Sequence, residues 1–197
     1  MKSLSNPPND LPIILFEQQK DWADWLDRHH TESAGIWLRL AKKASGVQSI
    51  SYDEAVEVAL GYGWIDGQKK SYDDISWLQK FTPRGAKSIW SKINREKAER
   101  LIASGHMKPA GLQAVEAAKR DGRWEAAYDS QSRATVPDDF QAALDKHAEA
   151  KVFFATLNSA NRYAILWRIQ TAKKAETRAR RIQQFIEMLK KGEKLYP

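Results

Sequence analysis

From Glu17 to His30 the residues Trp22, Trp25 and Leu26 recur at helical spacing, with Ala23 beside them and charged residues opposite. That pattern predicts an amphipathic helix. After a break at Thr31 to Gly35, Ile36-Trp37-Leu38-Arg39-Leu40 alternates with period two and predicts a strand. Ser51-Tyr52-Asp53-Glu54 then opens a second helix, because Ser51 with Glu54 three residues later forms a capping box that satisfies two otherwise orphaned amides. Ala55, Val58, Ala59 and Tyr62 supply its buried stripe, and Gly61 or Gly63 ends it. Trp64 to Gln68 and Ile75 to Phe81 predict two strands joined by the polar turn Ser71-Tyr72-Asp73-Asp74. With the earlier strand they make a small, mainly antiparallel three-stranded sheet packed with helices, an α+β arrangement.

The pattern beyond Phe81 is helical. Ser91 to Ser104 places Ala98, Leu101 and Ile102 inward and is closed by Gly105. Pro109 suits a first helical position, starting a helix that runs to Asp121 with Gly122 as its stop. Trp124 and Tyr128 are expected to anchor this lobe. Asp129 to Pro137 is polar and ends in proline, the mark of a linker. Four further helices follow. Phe140 and Leu144 are inward in the first, Val152, Phe153 and Phe154 in the second, and Ile165, Leu166, Trp167 and Ile169 in the third. The last, from about Ala175 to Lys190, puts Ala175, Ala179, Ile182, Ile186 and Leu189 on one stripe, and Gly192 stops it. The expected organisation is an α+β lobe over 1–128 with a loose leader at 1–12, a linker over 129–137, and an all-helical region over 138–197.

Composition narrows the chemistry. The 197 residues are 42% hydrophobic and 29% charged, ordinary for a soluble globular protein, and the eight tryptophans are expected mainly in cores. With no cysteine, disulfides, thiolate zinc sites, iron–sulfur clusters and cysteine nucleophiles are excluded. The first apolar run, Leu11 to Phe16, contains a proline and is too short for a signal-peptide core or a membrane span, so the chain reads as cytoplasmic. The net charge of +7 is concentrated in two stretches. Residues 69–108 carry 10 basic and 4 acidic side chains, net +6, and residues 161–197 carry 10 and 3, net +7. Such asymmetry is either a footprint for polyanions or a solvated helix face.

No G-x-S-x-G elbow, phosphate loop, dinucleotide fingerprint or H-E-x-x-H motif is present, and none of the four histidines has a partner ligand at helical spacing. No metal site and no cofactor are expected, and a non-enzymatic binding protein is the leading reading. Asp66 stands out because it interrupts an apolar, aromatic strand, where a carboxylate is paired or has a raised pKa. Arg84 is its expected mate, either fixing the hairpin or contacting a ligand. The stretch Phe81 to Asn94 adds a second candidate feature. Pro83 ends a strand, Gly85 permits a turn and Ser91 caps a helix. Arg84, Lys87, the Ser88 hydroxyl and the first-turn amides are suited to a phosphate or carboxylate, and Trp90 either stacks on a base or sugar or lies buried beneath the loop. The candidate ligand-binding residues are therefore Trp64, Asp66, Gln68, Arg84, Lys87, Ser88, Trp90 and Asn94, with an anionic small molecule as partner. An alternative is a nucleic acid or other polyanion on a tail ridge of Lys173, Lys174, Arg178, Arg180 and Arg181, if Ala175, Ala179 and Ile182 face inward. A third reading is a small enzyme using Asp66 as general acid or base.

The runs Gly63-Trp64-Ile65-Asp66-Gly67, Thr82-Pro83-Arg84, Ser88-x-Trp90-Ser91-x-x-Asn94 and Leu101-x-x-x-Gly105-x-Met107 resemble the bacterial YdeI/OmpD-associated family. Trp167 with Ala172-Lys173-Lys174-x-Glu176-Thr177-Arg178-x-Arg180-Arg181-Ile182 resembles that family's C-terminal bacteriocin-protection region. The resemblance runs through most of the chain beyond about Phe16. It implies a bacterial protein linked by name to envelope stress and antimicrobial-peptide resistance, and it implies no catalytic residues.

Overall fold

A computed structural model describes residues 11–131 and 133–197; the expected leader therefore lies almost wholly outside the described residues. The chain divides into two compact units, one formed by residues up to Ser88 with Asn94–Trp124, the other by Ile89–Ile93 with Glu125–Pro197. The first unit is α+β. Its sheet holds β1 (Ile13–Ile14), β2 (Ile36–Ala41), β3 (Trp64–Ser71) and β4 (Ser76–Pro83) in the order β1-β2-β4-β3, with α1 (Gln19–His29), α2 (Tyr52–Gly61), most of α3 (Lys92–Ala103) and α4 (Pro109–Arg120). The second unit is helical, with α5 (Asp138–Asp145), α6 (Ala148–Thr156), α7 (Ser159–Gln170) and α8 (Ala175–Lys190).

The three predicted strands form an antiparallel core, β2 with β4 and β4 with β3. A fourth makes the sheet mixed: β1 pairs parallel to β2, and the Pro12 carbonyl accepts from the Trp37 amide at 2.9 Å. Two residues are too few to show an alternation, so the sequence pattern gave no sign of this strand. β3 is an outer strand, and its register with β4 shifts between Asp66 and Lys69.

Alternation along β2 sends Ile36, Leu38 and Leu40 to one face, where all three are buried with Phe81 of β4. Trp22 of α1 packs onto this face, its ring 5.8 Å from that of Phe81, 6.1 Å from Trp64, 5.4 Å from Trp25 and 5.3 Å from Phe16. Each large side chain buried here contributes roughly 1.5–3 kcal/mol. On the opposite face, the Lys70 and Lys80 ammonium groups sit 4.3 and 6.0 Å from the Trp37 ring centre, so their alkyl stems cover an apolar ring while the charges stay in water.

Glycine sets the approach of α4 to α2. A Cβ on Gly111 would stand 2.3 Å from the Gly61 carbonyl oxygen and 2.3 Å from Met107 Sδ. The Lys108 amide donates to that same Gly61 carbonyl at 3.0 Å. Ile102, expected inward, is instead 37% exposed, because the buried stripe of α3 is carried by Ala98 and Leu101 alone.

In the second unit Phe140, Leu144, Phe154, Ile165, Leu166, Ile169, Phe185, Ile186 and Leu189 form one core. Val152, read as inward, is 67% exposed; Phe153 and Phe154 fill that side of α6. Asp129, where the expected linker begins, is buried and meets Lys92 Nζ at 2.7 Å, Gln170 Nε2 at 3.0 Å and, through its carbonyl, the Tyr163 hydroxyl at 3.1 Å. The inward face of α8 also differs from the expected stripe. Ala175 and Ala179 are exposed, whereas Arg178 and Arg181 turn inward. Arg178 holds Asp139 through two nitrogens at 2.6 and 2.8 Å and donates to the Ile169 carbonyl at 3.0 Å; Arg181 donates to the Arg168 carbonyl. Helix ends leave carbonyls unpaired, and two arginines supply those donors at the end of α7 where alanines offer only a methyl.

Gly111→Ala gains about 1 kcal/mol of helix propensity, but the added methyl meets a backbone oxygen that has no rotamer to move. We expect a net loss of about 1–2 kcal/mol in urea denaturation, and an unchanged or raised midpoint would contradict the close approach. Arg178→Ala should cost about 1 kcal/mol, since the pair is partly exposed, while Arg180→Ala, on an exposed position, should leave the midpoint within experimental error.

Candidate ligand-binding cleft

None of the residues singled out by sequence lines the cleft described below. Trp64 is 1% exposed, its indole N–H donating to the His30 carbonyl at 3.2 Å, and Trp90, which belongs to the second unit, is also 1% exposed. A ring so enclosed has no face to offer a base or sugar. Asp66 is half-buried and accepts from the Tyr52 hydroxyl at 2.7 Å, so its partner is a phenol rather than Arg84. The reason is register: Asp66 pairs with Phe81, three residues before Arg84, and the Arg84 amide instead extends the hairpin by donating to the Gly63 carbonyl at 3.0 Å. Gln68 and Lys87 are exposed, and Asn94 is half-buried near the start of α3. Ser88 serves its own turn, its Oγ accepting from the Gly85 amide at 3.1 Å and its carbonyl from Arg123 at 2.8 Å. Of the tail cations, Lys173, Lys174 and Arg180 are exposed, while Arg178 and Arg181 are held within the helical unit.

A cleft of about 660 Å³ lies elsewhere in the first unit, among α1, α2, α3 and the turn after α3. Its lining includes Gln19, Lys20, Ala23 and Asp27 of α1, Glu57, Val58 and Gly61 of α2 with Tyr62 beyond, Arg100 and Leu101 of α3, and Ser104, His106 and Lys108. Two hydrogen bonds fix the course of α1 along α2. The Trp22 indole donates to the Ala55 carbonyl at 3.1 Å, and the Tyr62 hydroxyl donates to Asp27 at 2.6 Å. Both contacts advance along both helices, so α1 and α2 run in the same direction. α3 does likewise, since Lys97 meets Asp53 at 3.0 Å near the start of α2 and the Lys108 amide meets Gly61 at its end. Three helices thus bring their C-terminal ends together at one end of the cleft.

That end is chemically distinctive. Helix C-termini carry partial negative charge, and here they surround the Asp27 carboxylate and the Tyr62 ring. Lys108 Nζ lies 3.6 Å from Asp27 and 5.5 Å from the Tyr62 ring centre. The Tyr62 hydroxyl bond, aided by Lys108, holds Asp27 below the usual carboxylate range. Burial pushes the Tyr62 phenol well above its ordinary value, and the Asp27 carboxylate beside it pushes the same way. Further along the cleft, Lys20 is paired with Asp24 at 2.5 Å. Among the described residues the Arg100 guanidinium has no ion pair, which leaves it available to a ligand. Ala23, Val58 and Leu101 give the walls an apolar component.

The cleft is not evident in the sequence because its residues come from three separate stretches, 19–27, 57–62 and 100–108, each explained by local pattern. Tyr62 and Val58 fell on the buried stripe of α2, and Asp27 on the polar face of α1. One signal was present: Tyr62 carries a phenol that must find a partner when enclosed. Among the described residues no group of acidic and histidine side chains is arranged to hold a metal ion, and no helix is long and apolar enough to cross a membrane.

Comparison with known families assigns the two parts of the chain separately. Residues 14–114, which contain the cleft, match a domain of unknown function, DUF8412. Residues 133–192 match the family described as Bacteriocin-protection, YdeI or OmpD-Associated. The tail motif falls in this second match, whereas the motifs between Gly63 and Met107 fall in the first. No curated protein and no solved structure matches the chain.

The depressed Asp27 value sets a pH test. A carboxyl whose folded value lies below its unfolded one stabilises the fold above the unfolded value, and that stability is lost as pH falls through the folded one. Asp27→Asn should therefore lower the melting temperature at pH 7, with the gap to wild type closing as pH drops from about 5 to below 3. A gap that stays constant across this range would place Asp27 outside the network.

Proposed function

We propose that this chain, which belongs to the DUF8412 family and carries an OmdA domain C-terminal to it, is a binding module for a small organic anion held in the α1–α2–α3 cleft. The observation that carries this reading is the Arg100 guanidinium, without an ion pair among the described residues, on the wall of the 660 Å³ concavity. Clefts of several hundred Å³ with apolar walls and a few convergent polar groups are the usual form of a small-molecule site. Arg100 offers a planar fork that suits a carboxylate or phosphate. His106, whose Nδ1 contacts the Ser104 hydroxyl at 2.9 Å, also lines the cleft. Val58, Ala23 and Leu101 suit a short hydrocarbon portion. The wider role we propose is protection against bacteriocins, which rests on the description of the family matched over residues 133–192.

Titration with pentanoate, followed by backbone amide NMR shifts, tests the reading. Shifts are expected along residues 57–62 and 100–106, with affinity reduced at least tenfold by Arg100→Ala and unchanged by Lys87→Ala. Shifts confined to residues 84–88, or no saturable shifts at all, would overturn it.

A further inference from the structure

We infer that the C-terminal end of the cleft is a seat for a primary ammonium group, and that the ligand is a zwitterion with its ammonium and carboxylate several ångströms apart. This rests on the anion-binding reading of Arg100 and adds the second charge. The seat has three parts. The Asp27 carboxylate supplies full negative charge, oriented by the Tyr62 hydroxyl at 2.6 Å. The Tyr62 ring supplies an electron-rich face. The C-terminal ends of α1, α2 and α3 converge here and add negative poles, offset in part by the N-terminus of α4, which begins at Pro109.

The protein shows what the seat accepts, because one of its own ammonium groups is in it. Lys108 Nζ sits 3.6 Å from Asp27 and 5.5 Å from the Tyr62 ring centre. It is held loosely. The distance is long for an ion pair, and the side chains of Lys108 and Asp27 are 47% and 53% exposed. Exposed pairs of this kind contribute little, so a ligand ammonium can displace the lysine into solvent at small cost. The Lys108 backbone stays fixed meanwhile, since its amide is bonded to Gly61 at 3.0 Å. Lys108 thus occupies the seat as a placeholder, while Arg100 receives the ligand's negative end.

Spacing selects the ligand class. Lys97 is level with Asp53, so Arg100 is level with about residue 56 of α2, and Tyr62 lies about 9 Å further along the axis at 1.5 Å per residue. An α-amino acid, whose two charges share one carbon, is too short to reach both seats; an ω-amino acid of about five carbons is long enough.

Calorimetric titration of the full chain with four probes tests this: 5-aminopentanoate, pentanoate, pentylamine and glycine. Binding of 5-aminopentanoate is expected at least tenfold tighter than pentanoate or pentylamine, with glycine the weakest. Asp27→Asn should abolish the advantage of 5-aminopentanoate over pentanoate. Lys108→Ala should tighten 5-aminopentanoate about threefold or more by emptying the seat, with no loss for pentanoate. If pentanoate binds in an Arg100-dependent way and the amino group adds nothing, the ammonium seat is refuted and the anion reading survives. If Lys108→Ala weakens pentanoate, the lysine holds the anion and the placeholder role is refuted. If no probe binds, both readings fall.

Discussion

The cleft exists because α1 lies along α2 in one register, and that register is set by Trp22. Its indole is fully buried, so the N–H must find an acceptor inside, and the acceptor is the Ala55 carbonyl of α2 at 3.1 Å. The ring meanwhile sits among Phe16, Trp25, Trp64 and Phe81, which fixes α1 against the sheet. One side chain therefore joins a directional contact, which chooses the level of one helix against the other, to a broad apolar contact, which supplies most of the energy. Five residues further along α1, Asp27 then arrives opposite Tyr62. A slip of one residue between the helices would swing Asp27 by about 100° around its axis and away from the phenol.

The turn after α3 completes the site by a different device. Lys108 and His106 approach the cleft because α4 starts hard against the end of α2, with Gly61 and Gly111 leaving room for backbone to meet backbone. Polar groups at the C-terminal end of the cleft are consequently held by a close backbone contact, whereas Arg100 is carried on a helix surface and keeps its side-chain freedom. Such a division suits recognition in which one end of a ligand is met by a preformed site and the other by a reaching side chain.

The helices and the hairpin were legible because each carries its own local rule. The capping box at Ser51 and Glu54 is present with both hydrogen bonds made, and the glycines at 63, 105, 122 and 192 adopt the positive φ that ends a helix or turns the chain. Faces were less legible where packing overrode pattern. Ala175 and Ala179 complete an apolar stripe on paper, but arginines turned inward because the end of α7 needed hydrogen-bond donors more than methyl groups. The cleft was the least legible feature. No single segment encodes it, and the residues around Arg84, conspicuous for their composition, are largely committed to ending a strand and shaping a turn.

The register shift in β3 bears on how the molecule behaves in company. Among the described residues β3 is the last strand on its side of the sheet, and such a strand presents backbone groups on which a second chain can grow. The shift between Asp66 and Lys69 interrupts that row midway, and Lys69 and Lys70 follow at once, their ammonium groups poised over Trp77 and Trp37. A second copy docking there would meet a broken ladder and like charge. At the other edge, among the described residues, β1 offers two residues only. Pairing of a second sheet at these described edges is thereby hindered.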